Sequence, residues 1–390
     1  MFLFALADPT QAASFDQSGV YKLDLSEVLA NILLDDTDFL STIGISGDTA
    51  KQTKHSWIED ALNATTLIQS GGTSAQQALG TTSGTNIRFS ASHMARITAG
   101  TLLKDSLSGK TEVIQVTAVS GTSATVVRGY GATSAQTHAA AATWEIIANP
   151  RPQGMAGPKD ESTTRALKHN FTQIFSKGVK ITGTAQAIEH AGISAEDSYQ
   201  IDLRLRELKR ELDRTCIMGV RAPNDVDGST YGTMGGVIDF VGFIGAGNVN
   251  GTAETLVPSV INTMAKQVFD DGGMPDLIVV GGTQKQKIAS FDQEFRRSTL
   301  DSRRAGYTVE EFVSDLGWNL RVVVDRWVPS DVCLVLDSSK IKIMPLQTRA
   351  FFLEPLAKTG DSKEWQIVGE YTMEVRNAAQ AHAYHFNLKP

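Results

Sequence analysis

Cysteine is scarce in this 390-residue chain. The two that exist, Cys216 and Cys333, are too few for a disulfide framework or a cysteine-rich zinc site. Each stands among apolar neighbours and reads as a reduced, buried thiol. An excess of basic charge is also missing. Lys and Arg number 36 against 43 Asp and Glu, a formal charge of −7, which excludes a protein that grips DNA through a dedicated basic face. No run approaches the roughly 18 apolar residues of a membrane span. Met1–Ala7 is apolar, but it has no basic start and Asp8-Pro9 cuts it off, so it does not read as an export signal. These absences point to a soluble chain of a reducing cytoplasm.

Catalytic patterns are missing as well. Ser108-Gly109-Lys110-Thr111 forms the back half of a phosphate loop, but Lys104 stands where the first glycine belongs and strand rather than helix follows. Gly242, Gly245 and Gly247 begin a dinucleotide pattern that fails at Asn250. His382 and His385 fall three apart on an expected strand, so they point to opposite faces and read as structural. Glu189-His190 lacks the second histidine of a zinc-protease helix, and no nucleophile elbow occurs. Nothing in the sequence points to an enzyme, a cofactor or a metal.

The chain is instead organised as a series of unlike segments. Residues 1–49 read as an arm with a short amphipathic helix marked by Leu25, Val28, Leu29 and Ile32. Between 71 and 150, 45 of 80 residues are Gly, Ala, Ser or Thr, a linker-like composition. Yet Thr111–Val119 alternates and is rich in β-branched residues, Ser120-Gly121 is a turn, and Ser123–Val127 returns, which is a hairpin signal. With further strands expected at Asn86–Phe89, Ala95–Ala99 and Thr143–Ala148, a small all-β module is predicted over about 85–148. Residues 70–84 and 149–165 then read as its Gly/Ser- and Pro-rich stems.

Ser194-Ala195-Glu196-Asp197 is a capping pattern that opens the strongest helix, 195–218. Ile201, Leu205, Leu208 and Leu212 form one apolar stripe on it. The remaining surface is charged, with Asp202–Arg206, Glu207–Arg210 and Lys209–Asp213 at favourable spacings. At 1.5 Å per residue the rod is roughly 36 Å long, too long for the inside of a small globule. A glycine-rich stretch, 219–253, follows, with a short strand expected at Val237–Phe243.

Next comes a β/α pattern. Its elements are the helix Val257–Phe269, the strand Asp276–Val280, a helix opened at Thr283, and strands at Trp318–Asp325, Val332–Leu336 and Ile341–Met344. From residue 346 only strands are expected, at Thr348–Leu353, Trp365–Arg376 and His382–Leu388. Arg296, Arg297, Arg303 and Arg304 cluster locally but interleave with Asp292, Glu294, Asp301, Glu310 and Glu311. They read as intersubunit salt-bridge residues rather than phosphate ligands.

Three stretches carry a resemblance. The first runs through Leu23–Leu29, Thr37–Gly44, His55-Ser56-Trp57 and Asp60-Ala61-Leu62. The second is Asn170–Lys177 with Val179–Gly192 and the helix Tyr199–Cys216. The third is Gly272–Val280 and Leu356–Asp361 through Val368–Asn377. In order and spacing they resemble the major capsid proteins of tailed bacteriophages, in a subfamily of the Hong Kong 97-like fold.

The resemblance implies an α+β fold of four parts. These are an N-terminal arm (1–49), an extended loop (50–175) carrying the β-insertion, a peripheral domain (176–253 and 345–390) with the long spine helix, and an α/β axial domain (254–344). It implies self-assembly into pentamers and hexamers of an icosahedral shell around double-stranded DNA, in the host bacterial cytoplasm. Portal, scaffolding and decoration proteins are the implied partners; no membrane is. No long scaffolding segment precedes the arm, so scaffolding is expected to be separate or unnecessary.

Leu25, Phe39, Trp57, Arg204, Arg206, Arg210, Arg296, Arg297, Arg303 and Arg304 are the expected subunit contacts, and Gly235 and Gly236 the expected hinge. Some relatives cross-link subunits through Lys–Asn isopeptide bonds. Lys54, Lys110 and Asn377 offer the residue types, but no motif pairs them. A cellular nanocompartment shell of the same fold, or a secreted adhesin or fibre protein, are the alternative readings.

Overall fold

The structure, a computed structural model, describes residues 37–60, 65–70, 79, 84–107, 109–139, 141–151, 153–154, 162, 165–187, 196–223, 231–245, 247–291, 296–298, 309–357 and 360–389. The arm helix around Leu25, the cap at Ser194-Ala195, and Arg303 and Arg304 lie outside the described residues. The chain divides into two compact units, residues 58–167 and the remainder.

The chain enters through helix α1 (Asp38–Ile43) and strand β1 (Lys54–Glu59). The smaller unit then builds one antiparallel sheet. Its members are β2 (Thr66–Ile68), β3 (Asn86–Arg88), the helical turn α2 (Ala91–Met94) beside them, β4 (Leu102–Asp105), β5 (Val113–Ser120), β6 (Ser123–Val127) and β7 (Thr143–Ala148). Strand order is β2-β7-β4-β5-β6-β3. A bridge between Gln69 and Phe89, with the Ser70 N–H donating to the Arg88 carbonyl at 3.0 Å, joins the two end strands. The sheet thereby closes into a six-stranded barrel, which leaves no unpaired edge.

Leu67, Ile87, Phe89, Leu103, Ile114, Val116, Val126 and Trp144 fill its interior. The expected hairpin is present. The module, however, begins before residue 85: β2 pairs with β7, and Leu79 is fully buried in the same core; most of 70–84, expected as a stem, lies outside the described residues. Ala95–Ala99, expected as a strand, follows α2 as a turn instead. Met94 and Ile97, three apart, both point inward.

Among the described residues the larger unit is built on two large sheets, besides the two-stranded pairing made by β1. β8 (Ala166–Phe171) pairs with β1, and β9 (Gln173–Thr182) leads through α3 (Gly183–Ala187) to the spine helix α4 (Glu196–Met218). A π-helical turn, Asp239–Gly245, precedes β10 (Asn248–Asn250). Val237–Phe243 is therefore helical, not the strand its apolar run suggested. Val237, Phe240 and Val241 are buried at i, i+3, i+4, which is a helix face.

After α5 (Pro258–Asp270), β11 (Leu277–Val280) and α6 (Gly282–Ala289) come β12 (Arg296–Ser298), β13 (Val309–Val313), β14 (Asn319–Val324), β15 (Cys333–Leu336), β16 (Ile341–Pro345), β17 (Phe352–Pro355), β18 (Ser362–Val375) and β19 (Ala383–His385). A seven-stranded mixed sheet runs β10-β19-β15-β11-β14-β13-β12, with β10–β19 and β11–β14 parallel. β10 and β19 thus lie in the sheet of residues 254–344, although the sequence assigned both to the peripheral part.

Both faces of this sheet are covered, which is why β11 reads as an unbroken apolar run. Ile278 and Val280 meet Ile261, Met264 and Val268 of α5. Leu277 and Val279 face Leu208, Leu212 and Cys216 of α4 and Phe39 of α1. The second sheet is built on β18, with β9 on one side and β16 and β17 also paired to it.

Candidate assembly surfaces

Several residues expected to touch neighbouring subunits are instead part of this chain's own core. Phe39 is fully buried, and its N–H donates to Asp325 Oδ2 at 3.2 Å. Trp57 is buried with its ring 5.7 Å from that of Phe240. Their partners lie far along the sequence, so a reading of local pattern saw only apolar residues without a core.

On α4, Arg204 donates to both carboxylate oxygens of Glu207, at 2.6 and 2.7 Å, and Arg206 pairs with Asp202 at 2.9 Å. Arg210 is half-buried and engaged within the chain. Glu207 thus pairs with Arg204, three positions before it. Asp213 is buried, not paired with Lys209 at the surface. Arg296 and Arg297 lie in β12, opposite Phe312 and Glu311 in register.

Gly235 and Gly236, the expected hinge, are tightly packed. Both are buried, and the Gly236 N–H donates to the Gly219 carbonyl at 2.8 Å. A methyl group on Gly236 would stand 2.7 Å from Gly219 N and from Thr215 O. These glycines let a chain segment press against the C-terminal end of α4, a close-packing role. Asn170 binds the same segment. Its side chain accepts from Gly235 N–H (2.9 Å) and donates to the carbonyls of Gly235 (3.1 Å) and Met373 (2.8 Å).

Two buried ionic clusters escaped the sequence, because their members are scattered along it. In the barrel, Glu112 accepts five hydrogen bonds. Arg128 supplies two at 2.7 Å, the Gln136 N–H one at 2.7 Å, the Gly129 N–H one at 3.0 Å and His138 Nε2 one at 2.9 Å. His138 Nδ1 meets Asp105 Oδ2 at 2.7 Å. Burial alone would raise the Glu112 carboxyl. The bonds from Arg128, Gln136, His138 and Gly129 outweigh it and hold the group at about 2. In the larger unit, Asp213 and Asp325 meet beside α1.

His382 is buried, and burial lowers it to about 4. Its Nδ1 accepts from the Asp337 N–H at 3.2 Å. His385, also buried, is 2.8 Å from Glu254. Cys216 and Cys333 are buried free thiols, and burial pushes Cys333 up to about 12. Lys110 Nζ donates to the Thr137 carbonyl. Among the described residues no group of three or more His, Cys, Asp or Glu is placed to hold a metal, and no helix is long and apolar enough to cross a membrane.

Large apolar side chains nevertheless stay exposed. Phe269, at the end of α5, is 53% exposed although its ring lies 5.7 Å from Trp318, and Leu316 in the adjoining turn is 43% exposed. Met274 and Phe243 are more exposed still. Exposed apolar groups of this size mark contact surfaces more readily than sites of chemistry.

The family model for the SU10 major capsid protein matches residues 8–389. The chain belongs to this family. A curated major capsid protein, from Escherichia phage Phieco32, is 23% identical over 279 residues, covering 59% of this chain and 78% of the relative. Among solved structures, the Cyanophage A-1(L) capsid asymmetric unit superposes with a TM-score of 0.54 at 11% identity, covering 96% of this chain and 98% of that one. The fold of this SU10-family major capsid protein is the Hong Kong 97-like fold of phage capsid subunits, and its place is the virion capsid. A capsid protein of this family assembles with copies of itself.

Proposed function

We propose that this chain assembles into homo-pentamers and homo-hexamers that close as an icosahedral shell around double-stranded DNA, formed in the host bacterial cytoplasm. The observation that carries the reading is the family match across 8–389, which leaves almost no part of the chain for another task. In this reading residues 1–49 are the arm, 50–175 the extended loop with its β-barrel, the seven-stranded sheet the core of the axial domain, and α4 the spine of the peripheral domain.

The net charge of −7 suits a container that confines DNA without gripping it, since strong phosphate contacts would retard packaging and release. Portal and scaffolding proteins are partners of the same process, and a decoration protein is a further one. The contact surface is taken to include Phe269, Leu316 and Met274, together with the exposed charges of α4 and the arginines of β12. Apolar area buried there contributes at about 25 cal/mol per Å² before association costs are subtracted.

Electron microscopy of the purified protein tests the reading. Uniform closed particles are expected, and nuclease-protected DNA in particles recovered from infected cells. A chain that stays monomeric at high concentration refutes it.

A further inference from the structure

Asp213, on α4, and Asp325, just past β14, bring two carboxyl groups together in the core beneath α1, both essentially without exposure. The hydrogen-bond inventory separates their roles. Asp325 accepts at both oxygens, from the Phe39 N–H at Oδ2 (3.2 Å) and the Trp327 N–H at Oδ1 (2.8 Å). Asp213 accepts only at Oδ1, from the Leu40 N–H at 2.6 Å, and its Oδ2 is buried with no hydrogen-bond partner.

Two adjoining carboxylates out of water cannot both be ionised. An oxygen with nothing to accept is satisfied when it carries a hydrogen and donates. The proton of the pair is therefore assigned to Asp213, whose Oδ2 has nothing to accept, and Asp325, bonded at both oxygens, is taken as the carboxylate.

We propose that this shared proton is a pH-sensitive latch that docks α1, the first described element, onto α4 and β14, and that its loss in alkaline solution releases α1. Burial, the adjacent Asp325 and Asp38 from α1 itself all push the Asp213 carboxyl far above its ordinary range. Of the neighbouring cations, Arg214 lies over the Trp327 ring (5.6 Å), Arg321 donates to Thr42 Oγ1 at the far end of α1 (3.1 Å), and Lys342 of β16 pairs with Asp48 (2.8 Å). Arg326 is itself engaged. Cys216, one turn along α4, is held protonated chiefly by burial.

The sign follows. The docked state keeps a proton that the undocked state gives up above the ordinary carboxylate range, so docking weakens as pH rises and not as it falls. The latch is a property of one chain's fold and stands apart from the assembly reading.

Hydrogen exchange of residues 38–43, measured as a ratio to β11 in the full-length protein so that base catalysis of exchange cancels, reads the latch. Between pH 6 and pH 9.5 the wild-type ratio is expected to rise at least tenfold. Asp213→Asn supplies an N–H in place of the acid O–H and is expected to fold and to hold the ratio constant within about threefold. Asp325→Asn turns an amide N–H toward a backbone N–H and is expected to loosen α1 at every pH. A flat wild-type ratio, an Asp213→Asn protein that does not fold or that follows the wild type, or an Asp325→Asn protein as well docked as Asp213→Asn would each overturn the proposal.

Discussion

Glu112→Gln is the most informative single perturbation of the barrel. The carboxylate has no exposed side-chain area and takes five donors, two of them from Arg128 and one from His138. An amide keeps the volume but removes the charge and turns an N–H toward groups that themselves donate. Arg128 then stays buried without its anion, and His138 keeps only Asp105, a loss of about 3–5 kcal/mol by analogy with broken buried pairs.

A second route gives the same scale. The carboxyl is held at about 2 against an ordinary 4.5, which corresponds to about 3 kcal/mol of stability. Because the folded value is depressed, that stability is complete above about pH 4.5 and is lost as pH falls towards 2.

Hydrogen exchange of β5 and β6, compared with β11 in the same protein, isolates the barrel from the rest of the chain. Opening of the barrel is expected to increase by roughly two hundred- to several-thousand-fold in Glu112→Gln, and the variant should lack the wild type's loss of protection between about pH 4.5 and 2. If the variant's exchange stays within about threefold of wild type, under about 0.7 kcal/mol, the cluster is not what holds the barrel together.

Other expectations follow from burial. Phe39→Ala should cost the subunit about 3–5 kcal/mol, seen as a lower thermal midpoint before any assembly is measured; an unchanged midpoint would return Phe39 to the subunit contacts. Gly236→Ala meets backbone atoms at 2.7 Å and should destabilise by about 1–3 kcal/mol or more, whereas a true hinge would keep its midpoint and alter only conformational change. Phe269→Ser should shift subunit stability by no more than about 1 kcal/mol yet lower the yield of closed particles in electron micrographs; full assembly would remove this face from the contact surface.

Those contrasts follow from what a local pattern can carry. The spacing of Ile201, Leu205, Leu208 and Leu212 was enough to predict the spine helix, and the β-branched alternation on either side of Ser120-Gly121 was enough for the hairpin. Both rest on periodicity within one element. The run Val237–Phe243 was too short to separate strand from helix, and only its burial at i, i+3, i+4 decided between them. The order and spacing of motifs carried the family, since that information is one-dimensional.

By itself the sequence determined the types of the long periodic elements, the acidic balance and the capsid family. The closed barrel, the clusters around Glu112 and Asp213, and the inward burial of Phe39 and Trp57 were decided only by the tertiary structure. Each depends on groups brought together across long stretches of chain, 173 positions for Leu40 and Asp213 and 286 for Phe39 and Asp325. Desolvation and hydrogen-bond satisfaction act on distance in space, and no local spacing records that distance.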